Sequence, residues 1–146
     1  MSIAAQLKAL HDGTESALVC QVSSGWVVLC ITQYLHGYCI LIPDPLVVSL
    51  NDLTDSQRTL YLRDMVIVGD ALLEVTDAYR INYALMGNSD QVLHAHIVPR
   101  FLTEPEQYLH DTPWSYPDEI INATLFDYAS DKALIEKLSL AIRNRL

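Results

Sequence analysis

The sequence predicts an α+β fold, with a mainly antiparallel sheet of about five strands, one long helix and a C-terminal helix. Three observations predict it. Short apolar runs alternate with residues that favour turns, as in strands joined by tight connections. Residues 54–79 contain one glycine and no proline, which favours a long helix. Residues 131–145 repeat apolar side chains at helical spacing, which predicts an amphipathic helix.

Each predicted strand is an apolar run bounded by turn residues. The strands are predicted at residues 17–22, 26–31, 38–42, 80–86 and 92–98. Ser23-Ser24-Gly25 separates the first two runs and predicts a hairpin. Pro43 ends the third run, because proline donates no hydrogen bond to a ladder. Gly87-Asn88-Ser89-Asp90-Gln91 predicts a short polar loop before the last strand.

The predicted helices follow from their start signals. Residues 1–12 fit a short amphipathic helix rather than a signal peptide, because no long apolar stretch precedes the first acid. Thr54-Asp55-Ser56-Gln57 has the form of a capping box, which predicts that the long helix begins after Thr54 and continues to about residue 79. Ser130 is predicted to be the N-cap of the last helix, over residues 131–145.

Length and composition limit the possible functions. A chain of 146 residues is most simply one domain, residues 1–146, with an irregular segment rich in proline and aromatic residues from about residue 100. The net charge of −9 argues against a nucleic-acid partner, since duplex binding needs basic groups facing phosphates. No apolar run approaches the roughly 20 residues that span a bilayer, so we expect no membrane partner and a cytoplasmic location.

The stretch His94-Ala95-His96-Ile97-Val98-Pro99-Arg100 carries the most chemistry. Alternate residues of a strand point the same way, so both imidazoles are predicted to lie on one face. They could be structural, or they could bind a metal with a further ligand, although Glu104 and His110 lie in the predicted tail. They could instead perform nucleophilic catalysis: neutral imidazole can attack phosphorus, and water can then cleave the covalent product.

The loop beside the histidines offers contacts for a phosphate. Its backbone N–H groups and the Asn88 amide can bind non-bridging phosphate oxygens, so Asn88, Ser89 and Gln91 are the predicted substrate-binding residues. Asn88 is equally suited to the left-handed backbone of a turn. Arg100 could bind a phosphate, or it could hold the tail through an acid such as Glu104.

Two stretches of the chain resemble the histidine triad (HIT) superfamily of nucleotide hydrolases and transferases. They are Ile81-Asn82-Tyr83-Ala84-Leu85-Met86-Gly87-Asn88 and Leu93-His94-Ala95-His96-Ile97-Val98-Pro99-Arg100. A weaker similarity covers Gln33-Tyr34 and Gly37-Tyr38-Cys39-Ile40-Leu41-Ile42-Pro43. The resemblance extends over roughly residues 17–100, and its spacing makes the motif specific.

The motif of the family is His-φ-His-φ-His-φ-φ, where φ is apolar. Aligned on Pro-Arg, the resemblance places the nucleophilic middle histidine at His94 and the third histidine, which contacts the phosphate and the leaving group, at His96. Val92 replaces the first histidine, so the motif is a variant, Val92-x-His94-x-His96. A further histidine of many members falls at Leu46, and the family's phosphate-binding amide at Asn88.

The resemblance implies a HIT-like fold, a homodimer joined through sheet and helix, and a small nucleotide substrate, with neither cofactor nor metal. It implies a nucleotide hydrolase or nucleotidyl transferase that acts on a phosphoanhydride, phosphoester or phosphoramidate through a nucleotidyl–histidine at His94. His96 would be the acid and phosphate ligand. A backbone carbonyl orients the nucleophile in the family, and Val92 retains one. The alternative is a nucleotide-binding HIT-like module with little or no turnover.

Overall fold

The computed structural model describes all 146 residues and confirms the α+β architecture with a five-stranded antiparallel sheet. The strands are β1 (Leu18–Val22), β2 (Gly25–Leu29), β3 (Cys39–Pro43), β4 (Arg80–Ala84) and β5 (Ala95–Arg100). Their order in the sheet is β1-β2-β3-β5-β4, and every neighbouring pair is antiparallel. The last strand in sequence is therefore internal, while β4 forms an edge.

Five α-helices accompany the sheet, in addition to two short 3₁₀ turns. They are α1 (Ile3–Asp12), α2 (Asp55–Val75), α3 (Glu106–Leu109), α4 (Asp118–Ile121) and α5 (Tyr128–Arg143). The predicted capping box is present: the Gln57 amide donates to Thr54 Oγ1 over 3.2 Å, and the Thr54 amide donates to Gln57 Oε1 over 2.9 Å. No helix is long and apolar enough to cross a membrane.

Two predicted helix ends differ from the structure by three residues or more. Helix α2 ends at Val75 rather than near residue 79, because Thr76 has extended backbone and donates its hydroxyl to the Leu72 carbonyl. Helix α5 begins at Tyr128, and its N-cap is Asp127 rather than Ser130. Asp127 accepts a hydrogen bond from the Ser130 amide, and its own amide donates to Asp131, so the two carboxylates cap the helix.

Helices α2 and α5 pack against one face of the sheet. The Tyr61 hydroxyl of α2 donates to the Leu41 carbonyl over 2.8 Å. Gly69 gives Tyr83 of β4 room to approach α2, since a Cβ atom at Gly69 would collide with the Tyr83 hydroxyl. The opposite face is covered by other parts of the chain, among them α1, whose His11 ring meets the Trp26 ring edge-on at 6.1 Å.

Arg100 holds the irregular segment that follows β5. Its guanidinium donates to the Glu104 carboxylate at 3.0–3.2 Å and to the carbonyls of Tyr108 and Asp111 at 2.8 and 2.7 Å. Arg100 is only 2% exposed. Of the two roles expected for Arg100, the structure therefore places it in the tail anchor and not at a phosphate site.

Candidate active site

His94 and His96 lie side by side, with ring centroids 4.9 Å apart. His96 pairs with Ile40 of β3 and Ala84 of β4. Because Tyr83 points towards α2, Ala84 and its cross-strand neighbour His96 point to the other face. The two imidazoles are therefore close together, as predicted, on the face opposite α2.

Strand β5 begins three residues later than predicted, so it carries His96 but not His94. It spans Ala95–Arg100, whereas the sequence predicts residues 92–98. The Leu93 amide donates to the Val47 carbonyl, outside the sheet ladder, so residues 92–94 form the end of a loop. His94 therefore immediately precedes the strand, and its orientation depends on a local hydrogen bond rather than on strand alternation.

That local bond joins His94 Nδ1 to the carbonyl oxygen of Val92 over 2.8 Å. A carbonyl oxygen can only accept, so Nδ1 carries a proton, and in the neutral form of the ring the lone pair lies on Nε2. His94 is 8% exposed, which restricts the ring to this arrangement. The neutral ring therefore presents the lone pair of Nε2 in a fixed orientation, without any contribution from the side chain at position 92.

His96 has a different partner and a different environment. Its Nδ1 atom lies 2.6 Å from the Tyr38 hydroxyl. Burial, together with repulsion from His94 when that ring is protonated, lowers the pKa of His96 to about 4, so the ring is neutral near pH 7. Burial also raises the pKa of Tyr38 well above its usual range, so the phenol stays protonated. Trp114 meets His96 edge-on at a centroid distance of 5.4 Å.

A cavity of about 600 Å³ opens in front of the two histidines. This volume is typical of sites for small molecules. Apolar side chains from several elements form most of its wall: Ile3, Leu29, Ile31, Ile40, Met86 and Phe126. Glu15 and Asp90 also line it, but no lysine or arginine does. A second cavity, of about 610 Å³, includes Val75 and Lys137 and contains neither histidine.

The three predicted substrate-binding residues are placed differently. Ser89 lines the cavity, whereas Asn88 and Gln91 are exposed and do not line it. The left-handed residue of the loop is Gly87, with φ +64°, and not Asn88. Asp90 ties the loop to α1, because its carboxylate accepts a 2.7 Å hydrogen bond from the Ile3 amide. The loop therefore presents Ser89 to the cavity and leaves its two amide side chains in solvent.

Tyr38 and Trp114 are site residues that the sequence did not indicate. Tyr38 reaches His96 because β3 pairs with β5, a contact between residues 58 positions apart. Trp114 reaches the same ring because Arg100 folds the tail back across the sheet. A tyrosine on an apolar strand and a tryptophan in an irregular tail carry no local signal for either contact.

Metal binding by the histidine pair would require further ligands. No group of three or more His, Cys, Asp or Glu side chains lies close enough together to hold a metal ion. The two residues named as candidates, Glu104 and His110, belong to the tail, and Glu104 is engaged by Arg100. The groups hydrogen-bonded to these two rings are therefore the Tyr38 hydroxyl, at His96, and the Val92 carbonyl, at His94.

Comparison with known proteins identifies the fold. No protein-family model matches the chain, and no curated protein sequence matches it significantly. Solved structures do match. A histidine triad protein from Marinobacter aquaeolei superposes with a TM-score of 0.73 at 17% identity, over 92% of this chain and 96% of that one. A hypothetical histidine triad nucleotide-binding protein from Sulfolobus tokodaii gives 0.73 at 13% identity, over 96% and 92%.

A third similar structure is a histidine triad protein from Bradyrhizobium japonicum, with a TM-score of 0.67 at 23% identity, over 86% of this chain and 89% of that one. The three superpositions each cover most of both chains. The chain therefore has the fold of the histidine triad proteins.

Proposed function

We propose that this protein is a member of the HIT superfamily that hydrolyses a nucleotide or transfers its nucleotidyl group through a covalent intermediate on His94. The observation that carries the proposal is the 2.8 Å bond from His94 Nδ1 to the Val92 carbonyl. In the neutral ring this bond leaves the lone pair on Nε2, and His94 lines a cavity large enough for a nucleotide. The fold supports the proposal but does not specify an activity.

The proposed reaction has two steps. In the first, the Nε2 lone pair of His94 forms a bond to phosphorus while the bond to the leaving group breaks, and the leaving group takes the electron pair. The imidazole keeps its Nδ1 proton and becomes cationic, and the Val92 carbonyl stabilises that charge. In the second, the oxygen of water or an alcohol binds phosphorus, the N–P electron pair returns to Nε2, and the incoming group loses its proton to solvent.

The alternative is a nucleotide-binding module with little or no turnover. The cavity favours it in one respect, since Glu15 and Asp90 line the wall and no lysine or arginine is present to stabilise the charge that develops on a transferred phosphoryl group. Val92 and Leu46 stand where the family motif has imidazoles, so two auxiliary groups are lacking. The oriented His94 ring favours turnover, because a binding module has no need of a nucleophile held in one tautomer.

Turnover by a His94 variant distinguishes the two hypotheses. The release of nucleoside monophosphate is measured from a dinucleoside polyphosphate, a nucleotide phenyl ester and a nucleoside phosphoramidate. We expect His94→Ala to abolish release, and His110→Ala, an exposed histidine in the tail, to leave it unchanged. Equal turnover by wild type and His94→Ala contradicts the proposal. Nucleotide binding by calorimetry, without release from any of the three, supports the binding module.

We further propose that the protein forms a homodimer through β4 and the exposed side of α2. β4 is an edge strand, so one side of its backbone is free to pair. Helix α2 exposes Leu62, Val66 and Leu73 at helical spacing, with exposed fractions of 40–50%. These apolar side chains would become buried on association.

Light scattering tests this dimer. Wild type should have the mass of a dimer, and Val66→Glu should shift it towards the monomer because the carboxylate would be buried without a partner. Leu140→Glu, at a 55% exposed leucine of α5, is the matched control and should remain dimeric. A wild-type protein that is monomeric at micromolar concentrations contradicts the dimer, and so does a dimeric Val66→Glu variant.

A further inference from the structure

We infer that Tyr38 is a positioning residue that fixes the tautomer of His96, so that His96 Nε2 stays protonated and donates a hydrogen bond to the substrate phosphate. In this arrangement His96 is not an acid that surrenders its proton to the leaving group. The catalytic half of the inference rests on the proposed function. The half that concerns the tautomer rests on the contact between Tyr38 and His96 alone.

The direction of that hydrogen bond follows from the groups around the Tyr38 hydroxyl. Tyr38 is 3% exposed, so its single proton must go to a protein atom. The candidates are His96 Nδ1, at 2.6 Å, and the Cys30 thiol, which is a weak acceptor and already contacts the Thr32 hydroxyl. Trp114, the other polar neighbour, can only donate. Tyr38 therefore donates to Nδ1, and the proton of His96 lies on Nε2.

This arrangement opposes transfer of the His96 proton. If Nε2 lost its proton while Nδ1 accepted from Tyr38, the ring would become an anion. If the Tyr38 proton moved to Nδ1 instead, a buried phenolate would remain, and burial disfavours that charge. The His94 ring, 4.9 Å away, becomes cationic when it carries phosphorus, which opposes a second proton on His96. The Nε2 proton thus remains in place and faces the charge that develops on phosphate.

The arrangement narrows the substrate class. When His94 Nε2 binds phosphorus, the leaving group departs with its electron pair and receives no proton from His96. Groups that are stable as anions satisfy this condition, which favours a nucleoside phosphoanhydride or the ester of an acidic phenol. Alkyl esters and unprotonated phosphoramidates leave as strongly basic anions and should be poor substrates.

The tautomer is measured directly by long-range ¹H–¹⁵N spectra of histidine-labelled protein near pH 7. His96 resonances are assigned by their absence from His96→Ala. We expect wild type to show protonated Nε2 and unprotonated Nδ1, and Tyr38→Phe to show a mixture of tautomers. Tyr34→Phe, which removes a hydroxyl bonded to the Pro113 carbonyl, is the control and should match wild type. Protonated Nδ1 in wild type overturns the inference, and so does an unchanged tautomer in Tyr38→Phe.

The catalytic half is measured by the dependence of kcat/KM on leaving-group acidity, across nucleotide esters of substituted phenols. If His96 donates no proton, kcat/KM should depend steeply on leaving-group acidity in wild type. His96→Ala should show the same slope, although its kcat/KM falls by about 10²–10³-fold. Tyr38→Phe should lower kcat with little change in KM. A shallow slope that steepens in His96→Ala identifies His96 as an acid and overturns this half. Absence of all turnover refutes the proposed function, while the spectra still decide the tautomer.

Discussion

The Val92 carbonyl oxygen accepts the Nδ1 proton of His94 over 2.8 Å, so the backbone at position 92 orients the ring. The Val92 side chain contributes only packing against the core. We therefore expect Val92→Ala and Val92→His to retain kcat/KM within about threefold of wild type, because neither removes the carbonyl. Steady-state release of nucleoside monophosphate provides the measurement. A loss of about 100-fold in both correctly folded variants is incompatible with backbone orientation.

The pKa of His96 makes stability depend on pH. Burial, together with repulsion from a protonated His94, lowers this pKa from 6.5 to about 4. Between about pH 6.5 and pH 4 the unfolded chain binds a proton at His96 that the folded chain does not. The contribution of His96 to the free energy of unfolding is therefore complete above about pH 6.5 and decreases progressively towards pH 4.

Replacing His96 with glutamine removes this contribution. As pH is lowered from about 7 to 4.5, the free energy of unfolding measured with urea should decrease less for His96→Gln than for wild type. His110→Gln, at an exposed histidine, should follow the wild-type curve. Parallel curves for wild type and His96→Gln would show that His96 titrates alike in the folded and unfolded states.

The pair formed by Arg100 and Glu104 should dominate the stability of the tail. Burial alone would raise the pKa of Glu104, but hydrogen bonds from Arg100, the Tyr116 hydroxyl and the Phe101 amide hold it below its usual value. Both side chains are less than 5% exposed. Glu104→Gln leaves a buried, unpaired guanidinium, so we expect a loss of about 3–5 kcal/mol in the free energy of unfolding.

Urea denaturation near pH 7 measures this loss. Glu106→Gln, at the neighbouring exposed glutamate, is the control and should change stability by less than about 0.5 kcal/mol. An equally small effect for Glu104→Gln would mean that the tail is held by other contacts. The near-ultraviolet signal of Trp114 should weaken in Glu104→Gln, because the same segment places that ring against His96.

Gly69 tests the contact between α2 and β4. Alanine in place of glycine inside a helix usually stabilises by about 0.5–1 kcal/mol. Here the added Cβ would collide with the Tyr83 hydroxyl, so we expect Gly69→Ala to lower the melting temperature. In a Tyr83→Ala background the same substitution should be neutral or stabilising. A stabilising Gly69→Ala in the wild-type background contradicts the close approach of Tyr83 to the helix.

Features that depend on neighbouring residues were predictable from sequence. The capping box at Thr54 joins residues three positions apart and requires only local backbone geometry. The bond from His94 to the Val92 carbonyl joins residues two positions apart, but it was expected from the resemblance to the HIT superfamily and not from the residues themselves. The start of α5 shows the limit of such inference: Ser130 and Asp127 are both good caps, and the reciprocal bond from the Asp127 amide to Asp131 selects Asp127.

Features that depend on the sheet order were not predictable. The contact between Tyr38 and His96 requires β5 to insert between β3 and β4, which no local signal specifies. The position of Trp114 requires the tail to fold around a buried Arg100. Asn88 looked suited to bind phosphate, but Gly87 makes the turn and leaves Asn88 exposed.

The covalent intermediate is the most direct test of the account. Wild type is mixed with a dinucleoside polyphosphate, quenched at alkaline pH within milliseconds to seconds, digested and examined by mass spectrometry. We predict a nucleoside monophosphate adduct on His94, formed and lost at rates that match turnover, with no adduct on His96 or in His94→Ala. Two results together would contradict the assignment of His94 as the nucleophile: wild type turns over without any adduct, and His94→Ala keeps the wild-type rate.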